Sequence, residues 1–274
     1  MQIKPFLVWV LMISLLASCA APAKSSSQTS TSPVSAQITV MAAASLTDAF
    51  EEIGRLYQER HPGVKAVFNF GGSQQLSQQI AQGAPADVFA SADSKQMEVA
   101  EQSGRVAARD VVAFAHNRLV VILPWSNPAG ITRLQDLARP GLKLVIAAEE
   151  VPVGSYTMIF LEKASEDAAF GADFKQKVLA NVVSYEENVK SVVSKVELGE
   201  ADGGVVYISD ASGAEADKVR QISIPDALNV SADYPIAVLN DSRHPSLARD
   251  FVDLALSADG QAILAKYGFI PVKP

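Results

Sequence analysis

Two serines stand where a short apolar strand gives way to a helix, a position suited to binding an anion. Residues 38–44 read I-T-V-M-A-A-A, and residues 45–48 then read S-L-T-D, which matches the start of a capped helix. Ser73 follows a second β-type run through Gly71-Gly72, a pair that allows close backbone approach. Helix N-termini present unpaired N–H groups and a positive dipole end, so both junctions attract negative charge. Either serine could serve as a helix cap alone.

Three further positions extend this pattern. Pro152 and small neighbours mark a third helix start beside Val153, and a fourth helix is expected to begin near Val189. Its apolar residues recur at i, i+3, i+4 and i+7, the stripe of a buried helix face. Tyr207 ends the buried run G-G-V-V-Y. A tyrosine in that place most often packs in a core, with its hydroxyl bonded locally.

Short apolar runs alternate with helical patterns along the chain, which predicts an α/β fold with largely parallel sheets. Asp93 is expected to cap the helix over 94–103, and Asp87 to brace a turn. Strands are predicted at 64–70, 88–92, 119–124, 143–148, 203–207 and 235–239. Further helices are predicted at 74–82, 131–137, 156–164, 246–256 and 258–267. Hydrophobic residues make up 49% of the chain, enough for a substantial core.

Composition and motifs exclude several functions. The net charge is −7 without a basic run, which disfavours nucleic acid as a partner. His61, His116 and His244 show no metal-ligand spacing. Neither a G-x-S-x-G elbow nor a phosphate loop with its lysine occurs. We therefore expect neither an enzyme nor a protein with a cofactor.

The first residues read as an export signal. A basic start precedes the apolar run 6–16 and the sequence L-A-S-C, which ends at Cys19. This tetrapeptide has the form of a bacterial lipobox, so residues 1–19 are interpreted as a lipoprotein signal with lipidation at Cys19. The alternative is a plain signal peptide cut nearby. Cys19 is the only cysteine, which excludes a disulfide within one chain. Residues 20–37, rich in Ala, Pro, Ser and Thr, are predicted to form a flexible tether.

Several blocks in order resemble the periplasmic molybdate-binding proteins of bacterial ABC transporters. The resemblance runs from about Ile38 to the C-terminus. Its blocks are A-A-A-S-L-T (42–47), G-A-P-A-D-V-F-A-S-A-D (83–93), G-V-V-Y-x-S-D-A (204–211) and K-Y-G-F (266–269).

The resemblance implies a two-lobed periplasmic-binding-protein-like fold of type II, each lobe a mainly parallel sheet flanked by helices. Lobe 1 would comprise 38–118 and 236–274, and lobe 2 would comprise 119–235. A hinge motion would close the lobes on a ligand in the cleft. The expected protein is an extracytoplasmic monomer, lipid-anchored to a bacterial membrane, that delivers molybdate or tungstate to an ABC permease.

The resemblance also implies a ligand set. The residues that match the family's site supply hydroxyls and backbone amides, with no charged side chain in direct contact. The hydroxyls fall on Ser45, Ser73 and Tyr207, and the amides fall on Ser45, Ser73, Val153 and Val189. The family often has alanine where Val153 stands, which keeps the amide but leaves the size of the pocket open.

Three alternatives stay open at this point. The same fold could bind another ligand, such as sulfate, phosphate or an iron complex. An extracytoplasmic hydrolase or phosphate transferase would need a nucleophile with an activating base. A sensor domain would need attached signalling segments, which the sequence does not contain.

Overall fold

The computed structural model describes residues 36–213 and 216–272. Cys19 and most of the expected tether lie outside this part of the chain, so the predicted signal and lipidation are not addressed by it. Composition places residues 36 and 37 in the tether, but the structure has them in the first strand, Ala36–Ala43. They pair in parallel with Val64 and Lys65 of the second strand. These backbone hydrogen bonds outweigh the low hydrophobicity of the two residues.

Helices and strands alternate over most of the described chain. The strands are β1 Ala36–Ala43, β2 Val64–Gly71, β3 Val88–Ala90, β4 Val112–Pro124, β5 Leu144–Ala147, β6 Val182–Glu186, β7 Gly203–Tyr207, β8 Val219–Ser223, β9 Ser231–Val238 and β10 Ile270–Pro271. The α-helices are α1 Thr47–Arg60, α2 Ser73–Ala81, α3 Ser94–Gln102, α4 Pro152–Glu166, α5 Phe174–Ala180, α6 Val189–Glu197, α7 Pro245–Leu256 and α8 Ala258–Lys266. Four 3-10 turns occur among them, at Ala44–Leu46, Ala108–Asp110, Leu134–Ala138 and Ile208–Ala211.

The strands lie in the order β2-β1-β3-β9-β4-β7-β5-β6, with β8 and β10 paired to β4 outside this path. The pairs β1–β2, β1–β3, β5–β6 and β5–β7 are parallel, as the strand–helix alternation predicts. Every antiparallel pair within the described residues includes β4 or β9. The fold is therefore α/β, with antiparallel pairing confined to the strands in the middle.

The central strand β4 is shared between two sets of strands. Residues 112–118 pair with β9, whereas residues 119–124 pair with β7 and β8. We call the strands on the β9 side the first half-sheet and those on the β7 side the second half-sheet. The strand predicted at 119–124 is thus only the second part of β4. Because β9 pairs with the first half-sheet from Ser231 onward, the chain returns to that side before residue 231 rather than at 236.

The first half-sheet packs against α1, whose apolar face is buried. Phe50, Ile53 and Tyr57 are all fully buried. The ring of Phe50 contacts Phe114 and Phe251, with centroids 5.6 Å away in both cases. Burial of each such side chain stabilises the fold by roughly 1.5–3 kcal/mol.

The second half-sheet is covered by α6, and the predicted valine stripe is confirmed. Val189, Val192, Val193 and Val196 are all buried, with at most 4% of their surface exposed. The short helix predicted over 131–137 is present as a 3-10 helix, which covers residues 134–138. The carboxylate of Asp136 accepts hydrogen bonds from the amides at 132 and 133 and so closes the segment as a turn.

Helix α4 starts in close contact with the end of β5. A Cβ atom added at Gly154 would lie 1.9 Å from the carbonyl oxygen of Ala148 and 2.6 Å from that of Ala147. Real atoms do not approach so closely, so the first turn of α4 can reach this position only with glycine at 154. The absence of a side chain at Gly154 therefore allows the first turn of α4, which includes Val153, to lie at this position.

We predict that Gly154→Ala lowers the free energy of unfolding by about 3 kcal/mol or more, at the upper end of the cost of overpacking. Both obstructing atoms belong to the backbone and cannot rotate away. Urea unfolding would measure the change. Gly71→Ala is the matched control, since its Cβ would meet Leu76 at an ordinary 3.5 Å. Equal stability of the two variants would contradict the prediction.

Candidate functional site

One small cavity, with an internal volume of about 10 Å³, is lined by the ends of several strands and the starts of several helices. All five residues predicted to contact a ligand line it: Ser45, Ser73, Val153, Val189 and Tyr207. Its other lining residues are Ala43, Ala44, Gly71, Gly72, Ala92, Val151, Pro152 and Asn188. The structure thus brings together the whole predicted set, which spans more than 160 positions of sequence from Ser45 to Tyr207.

Ser45 lies in the cavity, but the prediction that it caps α1 is wrong. The 3-10 turn Ala44–Leu46 stands between β1 and α1, and Leu46 occupies the N-cap position without a side-chain hydrogen bond. The hydroxyl of Ser45 instead forms a hydrogen bond of 3.0 Å with the hydroxyl of Tyr234. The turn moves the serine away from the helix start and leaves its side chain available to the cavity.

Ser73 is the first residue of α2 rather than its cap, which is Gly72. Its side chain is buried, and its oxygen accepts a hydrogen bond of 3.0 Å from the amide of Ala92. The predicted capping role is therefore wrong for Ser73 as well. The prediction that Ser73 lies in the first turn of the helix is confirmed. At this position the backbone amide has no hydrogen-bond acceptor within its own helix.

Val153 and Val189 line the cavity at the first turns of two helices, and both residues are buried. Val153 follows Pro152, the first residue of α4, and Val189 is the first residue of α6. Amides at these positions belong to the first turn of a helix and are open to another acceptor. Asn188 caps α6 by accepting a hydrogen bond of 3.0 Å from the amide of Ser191.

Among the residues that line the cavity, Tyr207 has the clearest unsatisfied hydrogen-bonding group. Only 1% of the residue is exposed, and its hydroxyl has no hydrogen-bond partner within the described residues. A buried polar group without a partner costs about 1–3 kcal/mol, so it calls for an explanation. Burial raises the pKa of the Tyr207 phenol well above its ordinary value, which keeps the hydroxyl protonated and able to donate.

Among the described residues that line the cavity, none has an ionised side chain, so the site offers uncharged hydrogen-bond donors. Three residues that carry hydroxyls and four helix or turn starts line one small volume. Such a set suits a small anion whose oxygens all accept hydrogen bonds.

Hydrogen bonds and an ion pair join the two sides of the structure next to this cavity. The amide nitrogen Nε2 of Gln74 donates to the carbonyl oxygen of Glu187 at 2.9 Å, and Nε2 of Gln75 donates to the carboxylate of the same residue at 2.9 Å. Lys190 Nζ lies 2.9 Å from Asp48 Oδ2. A Cβ atom at Gly72 would lie 2.4 Å from the Glu187 carbonyl oxygen, so the approach requires glycine.

Sequence patterns did not single out three polar residues near the cavity. Asn188 could have been found, because asparagine directly before an apolar helical stripe is a cap signal. Tyr234 and Asn117 carry no such signal. They lie in strands β9 and β4, far from Ser45 in sequence, and only the sheet order brings them close.

An α/β fold with a donor-lined cavity beneath contacts between two half-sheets is typical of extracytoplasmic binding proteins. The chain belongs to the family described as bacterial extracellular solute-binding protein, whose model matches residues 38–270. The family is non-enzymatic and acts outside the cytoplasm. Over the described part of the chain, none of the helices combines the length and the hydropathy needed to span a bilayer.

The molybdate-binding protein ModA of Mycobacterium tuberculosis (strain ATCC 25618 / H37Rv) is 39% identical over 263 residues, covering 96% of this chain and 95% of that protein. The substrate binding domain of a putative molybdenum ABC transporter from Clostridium difficile is 30% identical, with a TM-score of 0.64, and the match covers 87% of this chain and all of that one. The sulfate-binding protein SubI of M. tuberculosis H37Rv has a TM-score of 0.78 at 20% identity, covering 87% and 88%. This last likeness shows the fold alone.

We predict that Tyr207→Phe leaves the stability of the ligand-free protein unchanged or slightly higher, because the lost hydroxyl has no hydrogen-bond partner among the described residues. Tyr57→Phe is the matched control. The hydroxyl of Tyr57 donates to the carbonyl of Leu247 at 2.9 Å, so its loss should cost about 0.5–1.5 kcal/mol. Urea unfolding of both variants compares them directly. An equal loss in the two would show that Tyr207 has a structural partner.

Proposed function

We propose that this chain captures molybdate, and also tungstate, and delivers it to the membrane permease of an ABC transporter. The observation that carries the proposal is the cavity itself. Its described lining includes three residues with hydroxyls and four helix or turn starts but no ionised side chain, and the buried Tyr207 hydroxyl has no hydrogen-bond partner among the described residues. Molybdate is a dianion near neutral pH and offers only acceptors, so every donor in such a site can be used. The 39% identity with a molybdate-binding protein over nearly the whole chain supports the choice of anion.

The proposed ligand set is the one that lines the cavity. Hydroxyls of Ser45, Ser73 and Tyr207 donate to the oxyanion, together with the amides of Ser45, Ser73, Val153 and Val189. Each helix N-terminus stabilises the charge by roughly 0.3–1 kcal/mol, and by more where it is partly buried. The bound molybdenum is a ligand held through its oxygens and not a cofactor.

The donor set separates molybdate from phosphate by chemistry. Hydrogen phosphate carries an O–H that needs an acceptor, and leaving it unpaired costs about 1–3 kcal/mol. Sulfate has the same charge and the same acceptors as molybdate but is smaller. Selection against sulfate must therefore come from the size of the cavity, whereas tungstate, nearly the same size as molybdate, is bound similarly.

We propose that the two half-sheets belong to the two lobes, with lobe 1 comprising 38–118 and 236–274 and lobe 2 comprising 119–235. The change of partner along β4 at residue 119 supports the first crossing between the lobes. The pairing of β9 with the first half-sheet from Ser231 onward supports a second crossing a few residues before 236. Opening separates Gln74, Gln75 and Asp48 from their partners on the other side, and binding of the anion favours closure. The protein acts as a monomer that presents its closed form to the permease.

A panel of anions tests the proposed function. Thermal unfolding of the protein without residues 1–19 is measured with molybdate, tungstate, sulfate or phosphate. A ligand at a thousand times its dissociation constant adds roughly 4 kcal/mol to stability, so binding is easy to detect. We expect large increases with molybdate and tungstate and none with phosphate. A larger increase with sulfate than with molybdate would overturn the choice of ligand.

Ser73→Ala is predicted to weaken molybdate binding by about 1–3 kcal/mol, because a charged acceptor loses a buried donor. Isothermal titration would measure the affinity. Ser77→Ala is the control, since Ser77 is a buried serine of the same helix that bonds Gln74 and Gln96 and does not line the cavity. Equal affinity of the two variants would remove Ser73 from the proposed site.

We further propose that Cys19 is lipidated and tethers the protein to a bacterial membrane through residues 20–35. The lipobox-like L-A-S-C sequence supports this proposal. Cys19→Ala should move the protein from the membrane fraction to the soluble fraction, as followed by immunoblotting. Retention of the variant in the membrane fraction would contradict lipidation as the anchor.

A further inference from the structure

The hydroxyls of the two cavity serines each have a protein neighbour, and the direction of these hydrogen bonds decides what the serines can offer. Ser73 is unambiguous, because the amide of Ala92 can only donate and the Ser73 oxygen accepts at 3.0 Å. The Ser73 proton is therefore free to point into the cavity. The bond between Ser45 and Tyr234, at 3.0 Å, joins two hydroxyls, either of which could donate.

The side chain of Asn117 resolves this ambiguity. Its Oδ1 accepts a hydrogen bond of 2.9 Å from the amide of Arg118, which assigns the opposite end of the side chain as NH₂. That NH₂ group donates to Ser209 Oγ at 2.8 Å and faces the Tyr234 oxygen at 3.5 Å. Because an NH₂ group has no acceptor capacity, the Tyr234 oxygen is the acceptor on this side.

The proton of Tyr234 then has one acceptor among the described contacts, the oxygen of Ser45. Both Tyr234 and Asn117 are fully buried, so water does not compete for this proton. Burial also raises the pKa of the Tyr234 phenol well above its ordinary value, so the proton is retained. If Tyr234 donates to Ser45, the Ser45 proton cannot point back at the tyrosine and is directed to the cavity.

We propose that Tyr234, held by Asn117, is a positioning residue that orients the Ser45 hydroxyl as a donor and thereby sets the preference for oxyanions that carry no proton. The inference rests on the proposed function and extends it to a residue that does not line the cavity. Both cavity serines then share one arrangement: an oxygen that accepts from the protein and a proton left for the anion. Without the Tyr234 hydroxyl, Ser45 can turn a lone pair toward the cavity and accept the O–H of hydrogen phosphate.

The test measures molybdate and hydrogen phosphate affinities by isothermal titration at pH 8, in the purified wild type and in Tyr234→Phe. We expect molybdate affinity to fall about tenfold, which corresponds to about 1.4 kcal/mol. Phosphate affinity should not fall, so the ratio of the two affinities decreases. Tyr57→Phe, which loses a buried tyrosine hydrogen bond elsewhere, should leave the ratio unchanged. A ratio in Tyr234→Phe equal to that of the wild type would overturn the proposal.

A double-mutant cycle distinguishes orientation from a general structural effect. If Tyr234 acts through Ser45, then Tyr234→Phe should have no effect on molybdate affinity in a Ser45→Ala background. The same tenfold loss in both backgrounds would overturn the proposal. If the wild type prefers sulfate, only the proposed ligand is overturned. The double-mutant cycle is then measured with sulfate affinities, because the orientation of the Ser45 hydroxyl affects the binding of any unprotonated dianion. A wild type that binds neither anion overturns both proposals.

Discussion

Under the proposed function, the structure depends on one constraint, the burial of a doubly charged anion in a cavity whose described lining carries no ionised side chain. An ion that leaves water without compensation costs far more free energy than a domain has in reserve, so fixed dipoles must replace its hydration. The chain provides them at the turn after β1 and at the starts of α2, α4 and α6, all of which reach one cavity. Their convergence needs very close packing. Gly154 and Gly72 permit it, each where a Cβ atom would overlap a carbonyl oxygen.

Local sequence signals predicted the parts of this arrangement that depend on neighbouring residues. The valine stripe of α6 follows from periodicity, and it is buried as expected. Asp93 caps α3 as predicted, with its carboxylate accepting from the amide of Gln96 at 2.8 Å. The strand–helix alternation gave the α/β class, and the resemblance to a known family led to five residues that do line a single cavity.

Features that depend on distant parts of the chain could not be found in this way. Ser45 reads as a helix cap because the S-x-x-D pattern does not reveal the 3-10 turn that precedes α1. Its actual partner, Tyr234, is 189 positions away. The full length of β4 was missed because its first part, which includes His116 and Asn117, is not continuously apolar and is stabilised by pairing with β9. Sheet order and hydrogen bonds between distant polar residues are tertiary properties, which leave no periodic pattern in the local sequence.

The contacts that join the two half-sheets affect how tightly an anion is held, whereas the residues that line the cavity determine which anion is preferred. Lys190 with Asp48, and the glutamines of α2 with Glu187, meet across the site without lining the cavity. In the proposed closure of the lobes, they favour the closed form by the same amount whichever anion is inside. Since apparent affinity scales with the population of the binding-competent form, these contacts multiply every affinity by one common factor. The tightness of retention and the ranking of anions are thus separate properties, which different residues can change independently.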